Sequence, residues 1–295
     1  MVVELRRFAQ VAVVALILVL ASAIVPGVHA ADAAGATDVF AGDVPTRVWI
    51  DLGWSNNDIS TSASFTGPNG LGATIDFEDV FDMPVSRSTA RGFGTVRISK
   101  ERRYIDFGYV DINRSGSKVI DQDIDWGGAT IGTNSSVTAN FNTGFIYCAY
   151  RYDFLHLEPV HISGSAGLTW LNISTSLDAS GTITPPDGGP QVSSYYKKGS
   201  VGAPVPMLGL NLDWAIHRRL VVRSYTRFFR INTSEFSGAL NESGIRLNWY
   251  FVKNFGLGIG YDRTDLNLKE LKVNENTLKA NYYFSGASLF ITLAF

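Results

Sequence analysis

ANYYFSGASLFITLAF, residues 280–295, is the stretch whose reading decides the rest of the chain. It sets Leu289, Ile291, Leu293 and Phe295 on one face and Phe290, Thr292 and Ala294 on the other, the period of two that belongs to a strand between two different surroundings. No turn residue follows. An apolar strand with an open edge invites aggregation, whereas in a closed barrel it pairs with the first strand and leaves no edge. TRVWIDLGW, residues 46–54, supplies such a partner: Val48, Ile50, Leu52 and Trp54 alternate with Arg47, Trp49, Asp51 and Gly53.

Composition agrees with a strand-rich chain. Of 295 residues 29 are glycine and only 18% are charged, which suits many strands better than solvated helices. A formal charge of -2 offers no basic stripe for nucleic acid. The single cysteine, Cys148, excludes an intramolecular disulfide framework and a cysteine zinc cluster.

The N-terminus indicates the route the chain takes. Arg6 and Arg7 precede the apolar run AQVAVVALILVLASAIV, then come Pro26 and the small-residue site Val28-His29-Ala30, so residues 1–30 read as a secretory signal peptide cleaved after Ala30. Residues 31–45, rich in Ala, Gly and Asp, read as a mobile leader. No later run is apolar enough for a spanning helix, so the remaining crossings are assigned to strands.

Residues 46–295 then divide into about ten strands, with eight or twelve as the neighbouring even counts. The tight connections SKERRY, LHLEP, IHRR and VKN all fall on one side and alternate with longer ones. The longest are expected over residues 55–87, over residues 181–200 with Tyr195, Tyr196, Lys197 and Lys198, and over residues 269–276. Within the first, IDFEDVFDM is expected to form a turn of helix folded over or into the barrel mouth, and Asp76, Glu78, Asp79 and Asp82 to form a solvated face.

A charge facing hydrocarbon costs on the order of 2–4 kcal/mol at the midplane, so the face bearing Leu, Ile, Phe, Trp and Tyr is assigned to lipid. Trp214, Phe154, Tyr261, Tyr283 and Phe295 fit interfacial girdles. The opposite face gathers Arg97, Asp106, Arg151, Asp153, Asp213, Arg223, Arg227, Arg246, Asn248 and Asp262. In a narrow lumen these charges must pair, because an unpaired buried charge keeps its desolvation cost. The lumen-lining set is read first as a structural polar core and second as a narrow aqueous path whose arginine excess favours anions.

Chemistry elsewhere is sparse. His156 and His217 fall in tight turns and read as surface residues, while His161 and Ser163 share a strand face. Asp121, Asp123 and Asp125 alternate as calcium ligands do, but Trp126 stands where an EF-hand needs Gly, so no metal or cofactor site is assigned. FGLGIG is no phosphate loop, since its glycines alternate within a strand and no helix follows.

The alternation of turns and the terminal strand resemble the small outer-membrane β-barrels of Gram-negative bacteria, of the OmpA and OmpW kind, over nearly all of residues 46–295. That resemblance implies an all-β, transmembrane up-and-down antiparallel barrel with both termini in the periplasm. It implies a porin-like or structural protein without catalytic activity. Its expected partners are outer-membrane lipid and lipopolysaccharide, the barrel-assembly machinery that reads Phe295, Leu293, Ile291 and Tyr283, and small solutes or a surface partner. The alternatives are an adhesin acting through its outer loops and a lipid A-modifying enzyme, since His161-Ile162-Ser163 resembles the His-x-Ser pairing of outer-membrane lipid A deacylases.

Overall fold

The structure, a computed structural model, describes residues 47–66, 73–99, 102–157, 159–185, 191–232, 236–252, 254–273 and 276–295. The signal peptide, the leader and residue 46 lie outside the described residues. In chain order the elements are β1 (Val48–Thr66), β2 (Ile75–Asp76), α1 (Phe77–Phe81), β3 (Ser86–Ser99), β4 (Arg103–Val119), β5 (Ile124–Trp126) and β6 (Ala129–Ile131). Then follow β7 (Ser136–Leu157), β8 (Val160–Thr184), β9 (Val192–His217), β10 (Leu220–Asn232), β11 (Phe236–Val252), β12 (Phe255–Val273) and β13 (Asn276–Ala294).

Ten of these strands close a barrel. Each long strand pairs antiparallel with its sequence neighbour, and the sheet shuts where β1 meets β13, from Trp49 opposite Ala294 to Thr66 opposite Thr277. The predicted partnership of the first and last strands is therefore realised, and of the three even counts ten is found. The described residues flanking all four tight connections lie at the Trp49–Ala294 end of the seam.

Rungs of apolar side chains run around the outside because the register aligns them. Trp54 lies opposite Leu289, Leu289 opposite Ile259, Ile259 opposite Leu247, and Leu247 opposite Val222, which faces Trp214. Trp54 is 67% exposed and Leu289 68%. Leu208, Leu210, Leu257, Ile291 and Tyr152 are also exposed, an apolar wall of a kind that water-soluble monomers rarely present. This wall is built for lipid. Tyr150, Phe154 and free Cys148 face out with it, whereas Val48 and Ile50, on the same parity as Leu52, are buried.

The strands run well beyond that wall. β8 and β9 have 25 and 26 residues, where about 9–11 tilted residues cross the hydrocarbon. Three expected loops are corrected accordingly. Residues 55–66 continue β1, much of 181–200 belongs to β8 and β9, and residues 269–273 belong to β12. The physical reason is that only hydrocarbon demands an apolar outer face. Past it, polar sequence such as Ser55-Asn56-Asn57-Asp58 still alternates inward and outward, but without a hydropathy signal.

The assignment of apolar residues to the lipid face reverses at the same level. Toward the long-connection end, Ile59, Phe141, Phe145, Leu171, Ile173, Leu177 and Phe284 point inward and form one buried cluster. The expected helical turn is present as α1 and enters this cluster through Phe77 and Phe81. Phe77 packs edge-on against Phe81, Trp126 and Phe141 with ring centroids 5.3, 5.8 and 5.2 Å away. Trp126 arrives on the small hairpin β5–β6, whose two turn residues, Gly127 and Gly128, both have positive φ (59° and 89°), as a tight right-twisting hairpin turn requires.

Candidate functional site: a lumen filled from both ends

The half of the lumen nearer the tight turns is polar. Alternation along β4, β7, β9, β10, β11 and β12 brings Asp106, Arg151, Asp213, Arg223, Arg227, Arg246 and Asp262 inward, and all seven are buried. Arg97 lies at the rim, partly exposed, with its guanidinium 5.9 Å from the ring centre of Tyr104. Cross-strand register explains the grouping: Arg223 lies opposite Asp213 and opposite Arg246, and Arg151 lies diagonally from Asp106, two register positions along the β4–β7 ladder.

Charge pairing follows the geometry. Asp262 accepts from Arg91 Nη1 at 3.0 Å, Arg246 Nη2 at 3.4 Å, Tyr225 Oη at 2.7 Å and Ser288 Oγ at 3.4 Å. Arg151 bridges Asp106 at 3.3 Å and Asp213 at 3.0 Å, and Arg223 Nε stands 3.8 Å from Asp213. Arg227 reaches Glu242 at 3.3 Å. Asp51 accepts from Asn248 Nδ2 at 3.1 Å and Thr292 Oγ1 at 2.7 Å. Donors aimed at a buried carboxylate offset part of its desolvation cost.

The sequence reading missed the aromatic partners. Arg223 lies 3.1 Å above the Trp49 ring centre, Arg246 3.5 Å above Phe93, and Arg227 3.5 Å above Tyr147. A planar guanidinium presents its edge to carboxylates and its face to rings, so each arginine satisfies both. The available signal was parity, since Trp49, Phe93 and Tyr147 occupy the same inward positions as the charges.

Between these described side chains little space remains. The cavity bounded by Trp49, Asp106, Arg151, Asp213, Arg227 and Arg246 holds about 40 Å³, and the one beneath Arg97 and His161 about 10 Å³. That is room for one or a few waters. Toward the long connections the apolar cluster continues the filling. There Arg114 Nη1 binds Glu78 Oε1 of α1 at 2.5 Å and the carbonyl of Pro84 at 3.2 Å, and Glu78 Oε2 also accepts from the Thr61 amide at 3.0 Å. Lys118 Nζ donates to the carbonyl of Asp79 at 3.1 Å. Glu78 is thus a latch, not one of a solvated set of acids.

The remaining residues singled out from sequence separate clearly. His161 and Ser163 are buried on the lumen side at the tight-turn end, and the Ser163 hydroxyl donates to Asp153 Oδ1. His217 is exposed. His156 is not a plain surface residue. A bulge between Asp153 and Leu155 changes the parity of β7, so His156 comes inward opposite His161, and their rings stack with centroids 3.8 Å apart. Asp123 and Asp125 take separate partners, the Thr133 amide at 2.8 Å and Thr130 Oγ1 at 2.6 Å, and Asp121 is exposed. On β13 the predicted assembly residues Phe295, Leu293, Ile291 and Tyr283 share the outward parity. Tyr195, expected in an outer loop, is half-buried and donates to the carbonyl of Trp126 at 3.2 Å, while Tyr196 is 61% exposed.

No family profile matches the sequence, and neither does any curated protein. Among solved structures the chain is similar to the outer membrane protease OmpT of Escherichia coli, at 9% identity and a TM-score of 0.49, covering 85% of this chain and 98% of that one. It is also similar to the outer membrane protein OprG of Pseudomonas aeruginosa, at 9% identity and a TM-score of 0.33, covering 84% and 96%. A third is the attachment invasion locus protein Ail of Yersinia pestis, at 7% identity and a TM-score of 0.31, covering 83% and 99%.

Proposed function

We propose that this protein is a structural barrel of the bacterial outer membrane, non-catalytic and closed to solutes, with its tight turns and termini in the periplasm. The observation that carries this reading is the double filling of the lumen, where arginine–carboxylate–aromatic stacks leave a cavity of about 40 Å³ and an apolar plug occupies the other half. A porin-like path would need either filling to move. Purified protein added to planar lipid bilayers is expected to give no stepwise conductance in about 1 M salt, where screening does not stop permeation. Reproducible single-channel steps from the folded barrel would replace this reading with the porin-like one.

A second reading rests on the height of β8 and β9. The hairpin extends well past the lipid wall and carries exposed Tyr196, which supports a surface-interaction role at the outer end. Lipopolysaccharide is the partner nearest to that surface. The lipid A-modifying reading is weakened by burial, because His161 and Ser163 lie inside the barrel at the tight-turn end, which the structural-barrel reading assigns to the periplasm, and Ser163 is hydrogen-bonded to Asp153.

A further inference from the structure

We propose that Asp153, His156 and His161 form a three-ligand site for a divalent transition-metal ion of the zinc class at the tight-turn mouth of the lumen. Among the described residues these three make the group of His, Cys, Asp or Glu whose ligand atoms all lie within 4.8 Å of one another. A single carboxylate oxygen faces both rings: Asp153 Oδ2 is 3.8 Å from His161 Nδ1 and 4.0 Å from His156 Nδ1. Those separations exceed hydrogen-bond length. They lie slightly above the roughly 3.4 Å between ligand atoms of a tetrahedral zinc site, as bond lengths of about 2.0–2.2 Å dictate, so coordination requires the carboxylate to close by about half an ångström and the two stacked rings to turn until their nitrogens converge.

The local backbone assembles the set. His156 and His161 are directly paired across the β7–β8 ladder, and the bulge after Asp153 turns His156 to the side on which Asp153 already points. Without that extra residue His156 would face lipid. The other carboxylate oxygen is fixed by the Ser163 hydroxyl, an outer contact that orients the acid. Access is from one side only: the side chains of Asp153 and His161 are 2% and 3% exposed, and that of His156 16%. Two imidazoles and one carboxylate suit Zn²⁺, Co²⁺, Ni²⁺ and Cu²⁺ better than Mg²⁺ or Ca²⁺, which prefer all-oxygen shells. Three protein ligands leave a fourth position for water.

Cobalt tests this directly, because tetrahedral Co²⁺ with nitrogen ligands absorbs strongly in the visible and octahedral Co²⁺ weakly. Untagged full-length chain, folded in detergent and freed of metal by chelation, is titrated with Co²⁺ and then Zn²⁺. The expected result is one Co²⁺ per chain with the strong visible bands, bleached by one equivalent of Zn²⁺. His156→Ala, at the rim, should weaken binding by more than the about 10–100-fold that loss of an outer partner costs, and Ser163→Ala by about that amount. His217→Ala should bind like the parent. Heat-modifiable gel migration verifies folding of each variant. Absence of the bands in the folded parent, or equal uptake by folded His156→Ala, overturns the site.

Discussion

Asp262 and Phe77 occupy corresponding places in the two halves of one lumen. Asp262 is buried among two arginines, a tyrosine and a serine, while Phe77 is buried among Phe81, Trp126 and Phe141. Both exclude water, but by means that respond differently to change. The polar half is part of the barrel wall itself, each side chain issuing from a long strand and bound to a carboxylate on another. The apolar half adds to wall residues such as Phe141 and Leu171 a short insert, residues 75–83, held by Arg114, Lys118 and ring packing against Trp126 and Phe141. Damage to the first should loosen the barrel, whereas damage to the second should release a plug.

The largest effect is expected at Asp262. Asp262→Asn keeps the volume and leaves Arg91 and Arg246 without their counter-charge, so a loss of about 3–5 kcal/mol is expected. The readout is the denaturant midpoint of tryptophan fluorescence in detergent. An unchanged midpoint would show that the cation–π contacts alone stabilise the arginines.

A smaller and more local effect is expected at Gly116. A Cβ there would come within 2.3 Å of the Phe81 carbonyl and 2.9 Å of the Met83 backbone, so Gly116→Val forces the insert away from β4. Overpacking of this kind costs about 1–3 kcal/mol. Protease cleavage within residues 75–83 should rise while the barrel keeps its folded gel mobility. Loss of both together would mean that the plug and the wall fold as one unit, and the contrast between the halves would fail.

The smallest effect belongs to a charge pair outside the lumen. Arg263 and Asp265 meet at 2.8 Å on the exterior, more than a third exposed. Exposed pairs are screened and contribute little. Arg263→Ala should leave the denaturant midpoint unchanged within error. A shift comparable to that of Asp262→Asn would remove the distinction between buried and exposed pairing.

How far this was legible in the sequence follows the same division. Within the lipid wall hydrophobic alternation is compulsory, so the strands around Leu208–Trp214 and Phe255–Tyr261 are read from periodicity, and the tight turns bring the count to about ten without separating it from eight or twelve. Above the wall solvent accepts either kind of side chain, so β1 past Ser55 and the outer parts of β8 and β9 look like loops. In that region Phe141 and Phe145 reverse the lipid-face rule, because the core, not the bilayer, is the apolar solvent there. The charged lumen residues are legible from parity. Their partners are not, since pairing Arg223 with both Asp213 and Trp49 requires the register of strands distant in sequence. His156 is hidden for another reason: one extra backbone residue reverses its face, and nothing in the composition of YDFLHL marks the bulge.

The seam between β1 and β13 has a temporal meaning. Phe295 donates its amide to the Val48 carbonyl at 2.8 Å, and its own carbonyl accepts from the amides of Arg47 and Val48. On its other flank Ala294 is bound by the backbone and side chain of Asn254. Once the cylinder shuts, neither edge of β13 has a free ladder to offer another protein. Any factor that were to pair with this strand would therefore have to do so before β1 takes its place.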